Sequence, residues 1–276
     1  VQGAALLALC LLAGACGPGG RMASVAVVAD RDGRGTLTYR VAGVFVDAKG
    51  PWWQATEAAA GTDLASMAPD DLFPLNVCRV ERGGARPVRP LSFRLLDAGV
   101  LTFKAPGGDL EVPKVDPRAG EGPLYGGTFD EAAAGAYEEG TAYAVEASGA
   151  EVPAFGVRLS APPDFTVDRL GFTTPGPGTA PIPSQADLSL DWSPGASGTV
   201  FYVVLETAAG AVVCRVADTG HFTVPSGALK QLLGTGRIRF ERQVEAPFDT
   251  TLGGDQRTFP GWYRLAAART YDIDVQ

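Results

Sequence analysis

The sequence predicts a mainly β protein, two β-sandwich domains of immunoglobulin-like type in tandem with one or two short helices, behind an apolar leader. Three observations predict it. Short runs rich in Val, Thr, Tyr and Phe, partly alternating with polar residues, recur at about ten-residue spacing in the second half of the chain. The 36 glycines and 21 prolines are spread over 276 residues without a period, which suits turns between short strands and excludes collagen-like or low-complexity chain. A hydrophobic share of 46% with 9% aromatics is enough to build a core in each of two domains. The net charge of −8, with every charge beyond residue 20, lacks the concentrated basic face that a nucleic-acid partner requires.

Residues 1–15 read as a signal peptide. From Gly3 to Ala15 every residue is small or apolar, a run of signal-core length and too short to span a bilayer as an anchor. A buried N-terminal helix would need polar residues on one face, and the run has none. Its end, Leu12-Ala13-Gly14-Ala15-Cys16, resembles the lipobox of bacterial lipoproteins, in which small residues precede a cysteine that is diacylated and becomes the new N-terminus. The resemblance implies that Cys16 is the lipid attachment residue and the bilayer a partner through it. The competing reading is ordinary small-residue cleavage near Ala15. Gly17 stands where inner-membrane retention uses Asp, so the resemblance further implies an exported protein at the outer membrane. Residues 16–22 then form the acylated cysteine and a tether, GPGGRM following Cys16.

Cys10 and Cys16 belong to the leader, leaving Cys78 and Cys214 for the body. They make one candidate disulfide across the two halves, which an exported chain permits, or two small core residues, since both lie in apolar runs, LNVCRV and AVVCRV.

The N-terminal β domain is expected over 23–160. ASVAVVAD and GTLTYRVAGVFVDA around DRDGRG read as a hairpin. The excursion PWWQATEAAAGTDLASMAPDDLF, with a short helix from Thr62, precedes the strand LNVCRV, and LSFRLLDAGVLTFKAP reads as a pair of strands around Asp97-Ala98-Gly99. Thr128-Phe129-Asp130-Glu131 is a capping box for a helix that Gly140 stops. The immunoglobulin-like C-terminal domain is expected over 161–276, with strands at ADLSLDW, TVFYVVLET, AVVCRVAD, HFTV, GRIRFERQVEA and WYRLAAARTYDIDV. A short helix over 226–233 follows Pro225.

These landmarks, C-R-V at Cys78, L-D-A-G at 96–99, Tyr125, S-G-A-E-V-P-A-F at 148–155, D-L-S-L-D-W at 187–192 and V-V-C-R-V-A-D-T-G-H-F-T-V-P at 212–225, resemble a group of lipoproteins from myxobacteria and related GC-rich bacteria. The resemblance implies two β domains on a lipid anchor and brings no activity.

No residue is assigned to catalysis, and neither a metal nor a cofactor is expected. Asp218-Thr219-Gly220 is the aspartic-protease tripeptide in a single copy, better read as a hairpin turn. His221 is the only histidine, and no nucleophile elbow, zinc helix or P-loop accompanies it. Asp30-Arg31-Asp32-Gly33 has the opening acids of a calcium loop without its later ligands and reads as a turn. Trp52 and Trp53, beside Pro51, are the candidate binding residues: they could stack on sugar rings or anchor a protein, or else cover a core edge. The resulting expectation is a non-enzymatic, membrane-anchored cell-envelope protein with a structural or recognition role and an envelope partner or a homo-oligomeric state. A carbohydrate-binding module and a carboxylate-based hydrolase are the alternatives.

Overall fold

Alternation builds the first hairpin. In the computed structural model, which describes residues 20–49, 74–82, 92–115, 122–195, 199–251 and 258–276, β1 (Gly20–Asp32) and β2 (Leu37–Lys49) pair antiparallel from Arg31↔Leu37 to Gly20↔Ala48. Odd-numbered residues from both strands, among them Val25, Val27, Tyr39 and Phe45, fall on one face and are buried there. The turn closes because Asp32 Oδ1 accepts the N–H groups of Arg34 and Thr36, while Gly35 takes φ 87°, a region that favours glycine.

The strands that follow are β3 (Val77–Arg82), β4 (Ser92–Leu95), β5 (Leu101–Ala105), β6 (Gly108–Val112), β7 (Lys114–Val115) and β8 (Leu124–Asp130). A single helical turn, α1 (Glu131–Ala134), precedes β9 (Ala142–Ala147), β10 (Phe155–Ser160), β11 (Val167–Leu170), β12 (Ala180–Ile182), β13 (Leu188–Trp192), β14 (Val200–Thr207), β15 (Gly210–Ala217) and β16 (His221–Val224). After α2 (Ser226–Leu229) come two strands of 18 residues, β17 (Gly234–Thr251) and β18 (Thr258–Val275). The protein is mainly β. No helix among the described residues is long and apolar enough to cross a membrane.

The strands form three sheets: an 11-stranded one in the order β3-β15-β14-β17-β18-β1-β2-β8-β7, with β12 and β4 attached to β18 and β2, a four-stranded one, β10-β9-β5-β6, and a three-stranded one, β11-β13-β16. Two hydrophobic cores lie on the same face of the large sheet. The first joins β1 and β2 to β5, β9 and β10 through Phe103, Tyr143 and Val145; the second joins β14, β15 and β17 to β11 and β13 through Trp192, Phe201 and Phe240. The cores change over near residue 160, but the long hairpin serves both. Tyr263 and Leu265 of β18 belong to the first core and Ala267, Ile273 and Val275 to the second. Chain order does not reveal the pairing of β1 with β18, parallel from Ala23↔Gly261 to Asp32↔Thr270.

Four local expectations are corrected. The cap of α1 is Asp130, whose side chain accepts from the Ala133 N–H, and Thr128 lies within β8 opposite Arg40. The helix ends at Gly135, φ 83°, not at Gly140, because the Tyr39 hydroxyl donates to the Gly135 carbonyl and draws the chain into the first core. In the second helix, Ser226–Leu229 is the whole α segment, and the buried Leu232 follows it in a tighter turn. β4 and β5, the strands around Asp97-Ala98-Gly99, do not pair with each other: one joins β2 and the other joins β6 and β9. The helix expected from Thr62 lies outside the described residues.

Candidate functional site

Among the described residues the tripeptide at Asp218 anchors a dense polar cluster. β15 ends at Ala217, and the turn Asp218-Thr219-Gly220 carries the chain from the large sheet to β16 in the three-stranded sheet, Gly220 at φ 88° with its carbonyl accepting from the Trp192 N–H. The Asp218 carboxylate takes four side-chain hydrogen bonds: Arg242 Nε at 2.7 Å and Nη2 at 2.9 Å, Trp192 Nε1 at 2.9 Å and Thr199 Oγ1 at 2.8 Å. Arg242, on the core-facing side of β17 between Phe240 and Val244, also donates to the carbonyls of Pro163, Asp164 and Ser193, with its guanidinium 5.0 Å from the Phe165 ring. Both side chains are almost wholly buried, at 1% and 3% exposure. Burial alone would raise the Asp218 carboxyl, but the hydrogen bonds from Arg242, Trp192 and Thr199 outweigh it and hold it below the usual carboxylate range. With its oxygens engaged in this way, the group braces a junction of the two cores and is not placed to act as an acid or base.

The other acidic residues and the histidine that the sequence singles out are engaged in the same manner. Asp191 receives His221 Nδ1 and ion-pairs with Arg169 on the outward face of the three-stranded sheet, and these contacts, His221 first, lower its pKa against a desolvation that raises it. Among the described residues no hydroxyl hydrogen-bonds the His221 ring, so there is no nucleophile–histidine pair. Asp30 binds Arg40 and the Thr270 hydroxyl, and Asp32 holds its own turn, so the paired acids of the first hairpin serve the fold. No group of three or more His, Cys, Asp or Glu side chains among the described residues is placed to hold a metal.

Tyr125, buried on β8, organises the Asp97 turn: its hydroxyl donates to Asp97 Oδ1 at 2.7 Å and accepts from the Ala98 N–H at 2.8 Å. Tyr125→Phe leaves that buried N–H without its acceptor, and the expected result is a loss of about 1–3 kcal/mol in urea unfolding. An unchanged midpoint would show that the turn does not need the hydroxyl.

Cys78 of β3 and Cys214 of β15 stand directly opposite each other and are joined at an S–S distance of 2.05 Å. Cys16, Trp52 and Trp53 lie outside the described residues. On the reverse face of the large sheet, Ala26, Val28, Ala42, Val44 and Leu124 wall a half-open cleft of about 270 Å³, bordered by the ion pairs Arg40–Asp30 and Arg239–Glu241. It offers an apolar wall and closed charge pairs, with no nucleophile.

Sequence reasoning did not find Arg242. Its one signal is positional, a charged residue at a core-facing place in the alternation of β17, and its hydrogen-bond partners come from three separated parts of the chain.

Fold and site together define a mainly β protein whose polar clusters fasten strands and turns to one another. No family model and no curated protein matches the chain. Among solved structures it is similar to the chicken CNTN1 FN1–FN3 domains, at 12% identity and a TM-score of 0.18 over 74% of this chain and 66% of that one. The chain thus spans just under two thirds of that neighbour's length. It is also similar to the yeast delta-COP-I mu-homology domain, at 10% identity, and to that domain complexed with the Dsl1 WxWxV peptide, at 8%, both with a TM-score of 0.20 over 93% of this chain and 98% of theirs. Likeness at this level assigns neither topology nor activity.

Proposed function

We propose that the chain is a non-enzymatic lipoprotein of the bacterial cell envelope, held at the outer membrane through acylated Cys16, with two immunoglobulin-like sandwich lobes that act in structure or protein recognition as part of a surface assembly. The observation that carries this reading is the use of the polar groups: the carboxylates that invited a catalytic or metal reading, Asp218, Asp30 and Asp32, are bound to partners that fasten the fold. Two further facts support it. β1 starts at Gly20, so only three residues separate Cys16 from the first strand, and diacylation there would hold that strand near the bilayer surface. A Cys78–Cys214 disulfide also suits a chain exported to an oxidising compartment.

The test is metabolic labelling of the full chain with an alkynyl palmitate. Label in the membrane fraction, lost in Cys16→Ala, is the expected result, and an unlabelled wild-type chain in the soluble fraction would overturn the anchor. A pull-down of the native protein from detergent-solubilised envelope reads the second part: a stoichiometric partner or ordered homo-oligomer supports an assembly role, whereas a lone monomer argues against it.

A further inference from the structure

β3 and β15 contain the same tetrapeptide, Val77-Cys78-Arg79-Val80 and Val213-Cys214-Arg215-Val216. They pair antiparallel with Cys78 opposite Cys214, Val77 opposite Arg215 and Arg79 opposite Val213. This pairing has a local two-fold axis through the two cysteines: turned about it, Val-Cys-Arg falls on Val-Cys-Arg. Such symmetry in a strand pair is the geometry by which two identical strands of separate molecules close a dimer.

The two strands differ in position. β3 is an end strand of the large sheet among the described residues, with Val77 43% exposed, whereas Val212, Cys214 and Val216 on β15 are fully buried. Beyond the strand pairing, β3 is held to β15 by Asn76, whose N–H donates to the Arg215 carbonyl and whose Oδ1 accepts from the Ala217 N–H, and by the disulfide. With β3 gone, β15 would present an apolar, strongly β-forming edge, the kind that recruits another strand. The strand that best matches the vacated place is β15 itself.

We propose that β15 is a self-pairing edge and that the Cys78–Cys214 bond keeps that edge from pairing with a second copy. When the bond opens, β15 of a second copy takes the place of β3 in the same register, with Cys214 against the partner's Cys214, Arg215 against the partner's Val213 and Val212 against the partner's Val216. Every side-chain pairing that the tetrapeptide of β3 makes is reproduced, and no arginine faces another. A dithiol reductant opens the bond in one copy, giving two electrons and two protons to form the Cys78 and Cys214 thiols while itself closing to a disulfide. The released Cys214 thiolate attacks the Cys214 sulfur of a second, oxidised copy. A bond forms between the two Cys214 residues, the second copy's Cys78–Cys214 bond breaks, and its Cys78 leaves as a thiolate that takes up the proton.

The inference does not depend on the lipid anchor, and its failure would leave the anchoring test untouched. The full chain is treated with dithiothreitol at less than one equivalent, quenched with an alkylating agent, run on a non-reducing gel and mapped by peptide mass spectrometry, which separates links at Cys214 from those at Cys10 and Cys16. The expected result is a shift to twice the monomer mass, a peptide joining two Cys214 residues, and alkylated Cys78. Cys78→Ser with oxidised glutathione should give the same dimer without reduction, and Cys214→Ser should remain monomeric. A chain that stays monomeric after reduction, a dimer linked through Cys78 to the partner's Cys214, or a Cys214→Ser variant that dimerises as readily as Cys78→Ser would overturn the proposal. If Cys78→Ser fails to fold, the wild-type experiment decides alone.

Discussion

Arg242→Ala is expected to lower the unfolding free energy by about 3–5 kcal/mol, the scale for removing one partner of a buried ion pair. The variant leaves the Asp218 carboxylate, 3% exposed, with no counter-charge and frees the carbonyls of Pro163, Asp164 and Ser193 inside the protein. Urea unfolding near neutral pH measures it, and a loss below about 1 kcal/mol would mean that the cluster is better solvated than its burial indicates. Acid adds a second test. Because the folded pKa of Asp218 is held below its unfolded value, near 4, its contribution to stability is present above that pH and is lost as the pH falls through the folded value. The gap between wild type and Arg242→Ala should therefore narrow below about pH 4, and a gap that stays constant into strong acid would remove the ion pair as its cause.

Phe240→Ala and Leu265→Ala test whether the two cores unfold as one. Phe240 on β17 belongs to the second core and Leu265 on β18 to the first, both fully buried, and the strands are paired over their whole length. Truncation should cost about 3–5 kcal/mol for the phenylalanine and 2–5 for the leucine. Since one hairpin carries both cores, each variant is expected to lower a single common thermal transition followed by circular dichroism. Two transitions, each moved by only one of the variants, would show that the shared sheet does not couple the lobes.

Much of the strand inventory is legible because its cause is local. The alternation of ASVAVVAD against TYRVAGVFV, with Asp and Gly between them, leaves a hairpin as the arrangement that buries one face, and the runs at 188–192, 200–207 and 210–217 are strands for the same reason. The helix starting at 131 is legible in kind and misplaced in its cap and its end. Asp130 rather than Thr128 reaches the free N–H, and Tyr39, 96 residues before Gly135, fixes where the turn stops. Propensity cannot anticipate a hydroxyl supplied by another strand.

What the sequence by itself determined is the strand character of the chain and the turn at Asp218-Thr219-Gly220, because side-chain alternation and turn chemistry act over a few neighbouring residues. It also held both copies of Val-Cys-Arg-Val, and left a Cys78–Cys214 bond as one of two readings of them. Which strands became neighbours was decided only in the tertiary structure. The parallel contact of β1 with β18, the placing of β3 beside β15 and the convergence of Pro163, Ser193, Asp218 and Arg242 depend on two sheets packing onto one face of a third. That choice is made by the burial of apolar area summed over the whole chain, to which each strand contributes and which no single strand encodes.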